Sequence, residues 1–260
     1  MTDKQYESKY KRVGQRYNRK DAQEKVTGQA LYTYDLEFPG MLHARCLFSP
    51  YARAKIVSID TSKAKALPGV RAVLTGEDSD ILVGLYMQDK RALSKGETRY
   101  HGDIVAAVAA VDEDTAERAI SLLDVKYEPL EPVHNVDEAL EAKTLVHDDI
   151  NHLKHIEGVF FPQKDSNIAS WNKSRKGDLD KAFAEADLVV ENEFSLPAVA
   201  HVPMETHVAI VQEDPYSKKI RIWSSAQPPF AIRQIMADSF GISETDVEVH
   251  IPFVGGGFGG

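Results

Sequence analysis

Short runs in which apolar and polar residues alternate mark the first half of the chain, the period of strands with one buried face. They predict strands over residues 42–48, 54–59 and 70–75. Between the last two, residues 61–67 open with a helix start signal at Thr61 and are cut off by Pro68-Gly69. Residues 103–111 differ, being one continuous apolar stretch after Asp103, and predict a strand covered on both faces. Residues 112–123 begin with three acidic side chains and place Ala116, Ala119, Ile120 and Leu123 at helical spacing. A further strand over 125–128 precedes the proline-punctuated residues 129–132.

Periodicity then weakens from Pro132 to Lys176, where His147-Asp148-Asp149-Ile150-Asn151-His152 and Gly158-Val159-Phe160-Phe161-Pro162 read as loop rather than as regular elements. A second unit opens at Gly177, with a helix over 178–185, strands over 188–196, 208–212 and 220–224, a helix over 228–240 and a strand over 247–251. Pro228 and Pro229 begin the long helix and Gly241 closes it. The predicted organisation is an arm over 1–20, an α+β unit over 21–131, a linker over 132–176 and a mixed α/β unit over 177–260.

With 43% hydrophobic and 27% charged residues, the 260-residue chain has the composition of a globular protein able to bury a sizeable core. A formal net charge of -9, with no local cluster of Lys or Arg, argues against nonspecific nucleic-acid binding. No apolar run is long enough to span a bilayer and the start lacks a secretory core, so a cytoplasmic chain with no membrane role is the expectation. The single cysteine, Cys46, excludes an internal disulfide or a four-thiolate cluster within the chain and reads as a buried strand residue.

The chemistry concentrates at the end, in Gly255-Gly256-Gly257-Phe258-Gly259-Gly260. Glycine weakens any regular element, so such a run implies positive φ angles or a backbone that approaches a ligand closely, and a cofactor-sized anion suits it. Gly255-x-Gly257-x-x-Gly260 also fits the dinucleotide pattern, although that pattern needs a following helix and a later acidic residue. A purely structural turn stays open beside both. Because such a loop ordinarily leads into a further element, the chain reads as a fragment or as one piece of a divided subunit.

Other constellations have plainer readings. His147, His152 and His155 fit no strong metal-ligand spacing, and His201-x-x-x-Glu205-x-His207 contains Pro203, which disrupts helical presentation of its ligands. Asp112, Glu113 and Asp114 read as helix-start charges.

The glycine run, preceded by Val254 and by Ser224-Ser225-Ala226-Gln227-Pro228, resembles the molybdopterin-binding subunit of the xanthine dehydrogenase and aldehyde oxidase family. Val13-Gly14, Arg19-Lys20-Asp21-Ala22, Lys25-Val26-Thr27-Gly28-Gln29-Ala30 and Tyr34-Asp35 resemble the start of that family's α/β hammerhead domain. Pro68-Gly69-Val70, Tyr100-His101-Gly102-Asp103 and Met204-Glu205-Thr206 follow in the family's order, so the resemblance covers the whole chain.

The resemblance implies a hammerhead domain over 21–131 and, over 177–260, the first, incomplete part of a molybdopterin-binding domain. It implies that Gln227 and Phe258 stand near molybdenum without coordinating it, and that Gly256, Gly257 and Gly259 join them in lining the cofactor. Family members hydroxylate an aldehyde or a nitrogen heterocycle, purine-like compounds included, with oxygen from water, and pass electrons through [2Fe-2S] clusters to FAD. This chain has no cysteines for those clusters and no recognisable flavin motif, so the resemblance implies an iron–sulfur subunit, an FAD subunit and the remaining molybdopterin-binding polypeptide as partners. The family's general-base glutamate belongs to that remainder. No residue here takes a catalytic role, and the chain alone is expected to be inactive. The alternatives are a noncatalytic binding or assembly module and a dinucleotide-binding oxidoreductase.

Overall fold

The computed structural model describes residues 12–14 and 16–259, so most of the expected arm over 1–20, and Gly260, lie outside the described residues. After α1 (Ala22–Val26), the first unit runs β1 (His43–Phe48), β2 (Ala54–Asp60), α2 (Ser62–Ala66), β3 (Val70–Thr75), β4 (Leu82–Val83), β5 (Lys90–Arg91), β6 (Glu97–Thr98), β7 (Ile104–Ala110), α3 (Glu113–Ser121) and β8 (Asp124–Pro129). The continuous apolar run is β7, the middle strand of an antiparallel sheet in the order β1-β7-β3. Val105, Ala106, Val108 and Ala110 are buried along it, as a strand covered on both faces requires.

Helices α2 and α3 close one face of that sheet. Ala64 and Ala119 meet Val73 and Val108, with Leu67, Val70, Ile120 and Leu123 packed around them. The alanines at the contact let helix and sheet approach closely, and the larger side chains fill the margin. The acidic start of α3 is a cap: the Asp112 carboxylate accepts the Thr115 N–H at 2.7 Å, which with the nearby Arg118 and His43 holds its pKa below the ordinary carboxylate value. A second antiparallel sheet orders as β6-β2-β8 and β4 pairs with β5, while the buried Thr98 hydroxyl of β6 shares a 3.0 Å hydrogen bond with that of Ser49, just after β1.

Within 132–176, where no regular element is expected from sequence, the chain forms α4 (Val136–Glu141) and a 3₁₀ turn over Ile150–His152. The helix is anchored by Asn135, whose side chain accepts the Glu138 N–H at 2.9 Å, and it buries none of its residues. Val136, Ala139 and Leu140 recur at helical spacing, but Val136 and Leu140 stay exposed, so no buried stripe accompanies this single short period. The stretch is tied down by backbone bonding of the Gln88 N–H to the Lys154 carbonyl at 2.7 Å and by stacking of Phe160 on Tyr86.

The second unit holds α5 (Leu179–Glu185), β9 (Ala209–Glu213), β10 (Ile220–Ser224), α6 (Pro229–Phe240) and β11 (Val247–His250). Strands order as β11-β10-β9, with β9 antiparallel to β10 and β11 parallel to it. The parallel pair is joined through α6, whose Ile232, Met236 and Ala237 pack on Ile220, Ile222, Val247 and Val249. Pro229 lies in the first turn of α6 and Gly241 ends it at φ 64.

One expected strand is absent. Residues 188–196 alternate suitably but form no regular element, and Phe194 and Leu196 are 86% and 90% exposed. A strand needs a partner edge for its N–H and C=O groups, and no described strand pairs with this segment. Elsewhere the two units touch through the stretch after α1: Tyr32 forms a parallel β-bridge with Phe253, and Phe38 packs on Trp223 at 4.7 Å between ring centres. No described helix is long and apolar enough to cross a membrane.

Val108→Ala removes two buried methyl groups beneath α2 and α3 and is expected to lower the unfolding free energy by about 2 kcal/mol. Leu196→Ser, in the exposed segment, should change it by no more than about 0.5 kcal/mol. Urea denaturation of both variants checks this; equal losses would mean that residues 186–208 are packed.

Candidate functional site

Parallel pairing of β10 with β11 sends both strands out at the same end of the sheet. Ile220 to Trp223 lie opposite Val247 to His250 in register, so Ser225-Ala226-Gln227 and Gly255-Gly256-Gly257 leave side by side. The C-terminal ends of parallel strands are where open α/β sheets bind ligands, because the chain diverges there and leaves backbone groups exposed. Trp223 and His250 stack across the last register pair at 5.2 Å, and Tyr32 and Lys25 flank the ring of Phe253.

The glycines of the loop differ in what they do. Gly256 and Gly259 take φ values of 124 and 92, which only glycine adopts without strain. Gly255 and Gly257 have no such backbone requirement. A Cβ on Gly257 would fall on the side chain of Gln227, and a Cβ on Gly255 would lie 2.5 Å from the Cβ of Glu205. These two positions are glycine because other side chains of this chain occupy the space, a constraint the one-dimensional pattern does not contain. At Gly256 an added Cβ would also meet Phe258 at 3.0 Å and Pro203 at 3.3 Å.

Phe258 itself sits at φ 52 and is 74% exposed. An aromatic residue in the left-handed region carries strain of order 1–3 kcal/mol, which glycine or asparagine would relieve. The ring lies against Gly256 at that cost. The N–H of Gly255 donates to Glu205 Oε2 at 2.6 Å, whereas those of Gly256, Gly257, Phe258 and Gly259 have no backbone acceptor among the described residues. Four adjacent backbone donors are thus left without a described carbonyl acceptor, and groups of this kind can bind an anion.

Of the residues singled out in the sequence, Gln227, Gly256, Gly257, Phe258 and Gly259 are thus brought together. Glu205 joins them; it belongs to Met204-Glu205-Thr206, one of the segments that carry the family resemblance, and not to a metal site with His201 and His207. Its carboxylate turns to the glycine loop, and both histidines are exposed. The resemblance marks the segment at Met204-Glu205-Thr206 but not the contact itself, which spans 50 residues. The remaining histidines lie apart: His152 pairs with Asp149, His155 bonds the Leu153 carbonyl at 2.8 Å, and His147 stands 3.7 Å from Asp89 with burial and Arg99 holding it toward the neutral form. No cluster of three metal-ligating side chains occurs among the described residues. Burial raises the Cys46 thiol above its ordinary value, which suits a strand side chain and not a nucleophile.

Sequence comparison matches residues 27–131 to the aldehyde oxidase and xanthine dehydrogenase a/b hammerhead domain and residues 160–260 to the molybdopterin cofactor-binding domain. The chain is 36% identical over 247 residues to a probable xanthine dehydrogenase subunit of Bacillus subtilis (strain 168), an alignment covering 93% of this chain and 31% of that protein. Among solved structures, it superposes on reconstituted CO dehydrogenase from Oligotropha carboxidovorans with a TM-score of 0.82 at 30% identity, covering 100% of this chain and 33% of that one. Quinoline 2-oxidoreductase from Pseudomonas putida 86 gives a TM-score of 0.77 at 33% identity, covering 94% and 30%. The chain spans about a third of the length of these relatives.

If Gly257 is glycine because Gln227 lies over it, Gly257→Ala should lower the unfolding free energy by about 1–3 kcal/mol through overpacking. Adding Gln227→Ala should then recover most of that loss, a coupling that a double-mutant cycle measures. Additive effects would place the strain in the backbone and not in the side-chain contact.

Proposed function

Because the chain belongs to the xanthine dehydrogenase and aldehyde oxidase family of molybdopterin-binding subunits, we propose that it is the amino-terminal portion of a molybdenum hydroxylase large subunit. In this reading, residues 177–260 supply one wall of a molybdenum-molybdopterin site. The whole enzyme converts a carbon–hydrogen bond of a nitrogen heterocycle or an aldehyde, with water, into a carbon–oxygen bond, releasing two electrons and two protons.

The observation that carries the reading is the pairing of Gln227 with a glycine loop whose next four N–H groups meet no backbone acceptor among the described residues. These residues fit the cofactor: backbone donors at Gly256, Gly257, Phe258 and Gly259 suit its anionic atoms, and the crowded Cα of Gly257 fixes where the Gln227 amide lies. When bound, the cofactor supplies the redox and oxygen-transfer chemistry. The chain's own part is placement. A glutamine amide can donate a hydrogen bond to an oxygen ligand of the metal without adding charge or competing to coordinate it. The exposed Phe258 ring lies against Gly256, beside the loop's backbone donors.

Catalysis also needs a base to take up a proton from water, and this reading assigns that base to a glutamate in the remaining polypeptide. It likewise assigns electron transfer to an iron–sulfur subunit carrying [2Fe-2S] clusters and a subunit carrying FAD. The chain alone is therefore expected to be inactive.

In the complete complex, Gln227→Ala should retain molybdenum yet lose about 10²–10³ in turnover, the effect of removing one preorganised donor, on the order of 2.7–4 kcal/mol. Gln227→Glu should be at least as impaired, since it sets an anion beside an electron-rich centre. Steady-state rates normalised to molybdenum content test this; full activity in both variants would reduce Gln227 to a residue of the loop's packing.

A further inference from the structure

We propose that Glu205 is the positioning residue of the glycine loop: it fixes the loop at a set distance from Gln227 by accepting the Gly255 N–H. The inference rests on the reading that Gln227 and the loop face the cofactor. Its grounds are geometric. Residues 186–208 form no regular element, and Val202 and Met204 on either side of Pro203 are exposed, yet the Glu205 carboxylate turns inward to Gly255 at 2.6 Å.

Contacts on either side make this more than a chance bond. Pro203 packs beside Gly256, and Gly255 lacks a Cβ where Glu205 passes. Beyond Glu205 the chain is held by Ser225, whose hydroxyl accepts the Val208 N–H at 3.0 Å and lies 3.4 Å from the Thr206 carbonyl. Ser225 in turn donates its own N–H to the Val208 carbonyl at 3.1 Å and stands two residues before Gln227. A closed circuit results: Glu205 grips Gly255, Gln227 lies on Gly257, and Ser225 ties the segments bearing Glu205 and Gln227 together. The loop cannot shift against Gln227 without breaking one of these three links.

The second oxygen of Glu205, Oε1, is buried with no hydrogen-bond partner among the described residues. An oxygen stripped of water and given no donor is unfavourable, so packing alone does not account for a carboxylate here. The acceptor role toward Gly255 does. It also predicts that glutamine, which keeps one acceptor oxygen at the same reach, can substitute, whereas aspartate, one methylene shorter, cannot.

The test is amide hydrogen exchange in the complete complex, resolved at Gly255, together with cofactor retention in the same complex. Glu205→Ala and Glu205→Asp should raise the Gly255 exchange rate about tenfold or more, while Glu205→Gln stays close to the parent protein. Amides of β10 and β11 should stay unchanged, which a general loss of stability would not allow. Release of pterin from the complex should accelerate in the same order of variants. Unchanged exchange at Gly255 in Glu205→Ala, or equal acceleration throughout β10 and β11, would overturn the proposal. A parent complex holding no pterin would instead sink the functional reading, with the exchange data still judging Glu205.

Discussion

Parallel pairing of β10 with β11 is the constraint on which the rest of the site depends. Parallel strands cannot be joined by a tight turn, so the chain must cross through α6 and return, and the helix must bury an apolar face to make the crossing stable. Ile222, Ala237 and Val247 form that contact. Once it is made, the ends of β10 and β11 project together, and two segments separated by the length of a helix deliver Gln227 and the glycine loop to one place. An antiparallel return would send them to opposite ends of the sheet.

Around this pair the chain adds supports from distant parts of the sequence. From the amino-terminal side come Tyr32, bridged to Phe253, and Phe38, packed on Trp223. Both contacts bear on the roots of the two segments that carry the site. From the other side comes Glu205, in a stretch without secondary structure of its own. The first unit stands on separate footings, a β1-β7-β3 sheet under two helices, and meets the second through contacts such as the hydrogen bond from Ser239 to the Leu82 carbonyl at 3.3 Å.

The segment over 186–208 shows what an alternating pattern can and cannot specify. Leu188, Val190, Phe194 and Leu196 have the composition of a strand but remain exposed because the sheet order among the described strands gives them no edge. Apolar alternation states that a segment is able to bury one face. It does not provide the partner. Helix α4 is the complementary case: Asn135 caps it and Val136, Ala139 and Leu140 stand at helical spacing, yet it is six residues long and buries none of them.

Patterns with a period of two or near four residues were legible because they reflect burial along a single element. Strands β1, β2, β3 and β7, helices α3 and α6 and the punctuation by Asp112, Pro229 and Gly241 all belong to this class. The glycine run was legible for a related reason, since glycine is costly wherever it is not needed. Its cause was not. Only the tertiary structure separates Gly256 and Gly259, which glycine's backbone freedom serves, from Gly255 and Gly257, which make room for Glu205 and Gln227. Contacts between residues 50 or 30 positions apart leave no local period, so they exist only once the sheet has brought those residues together.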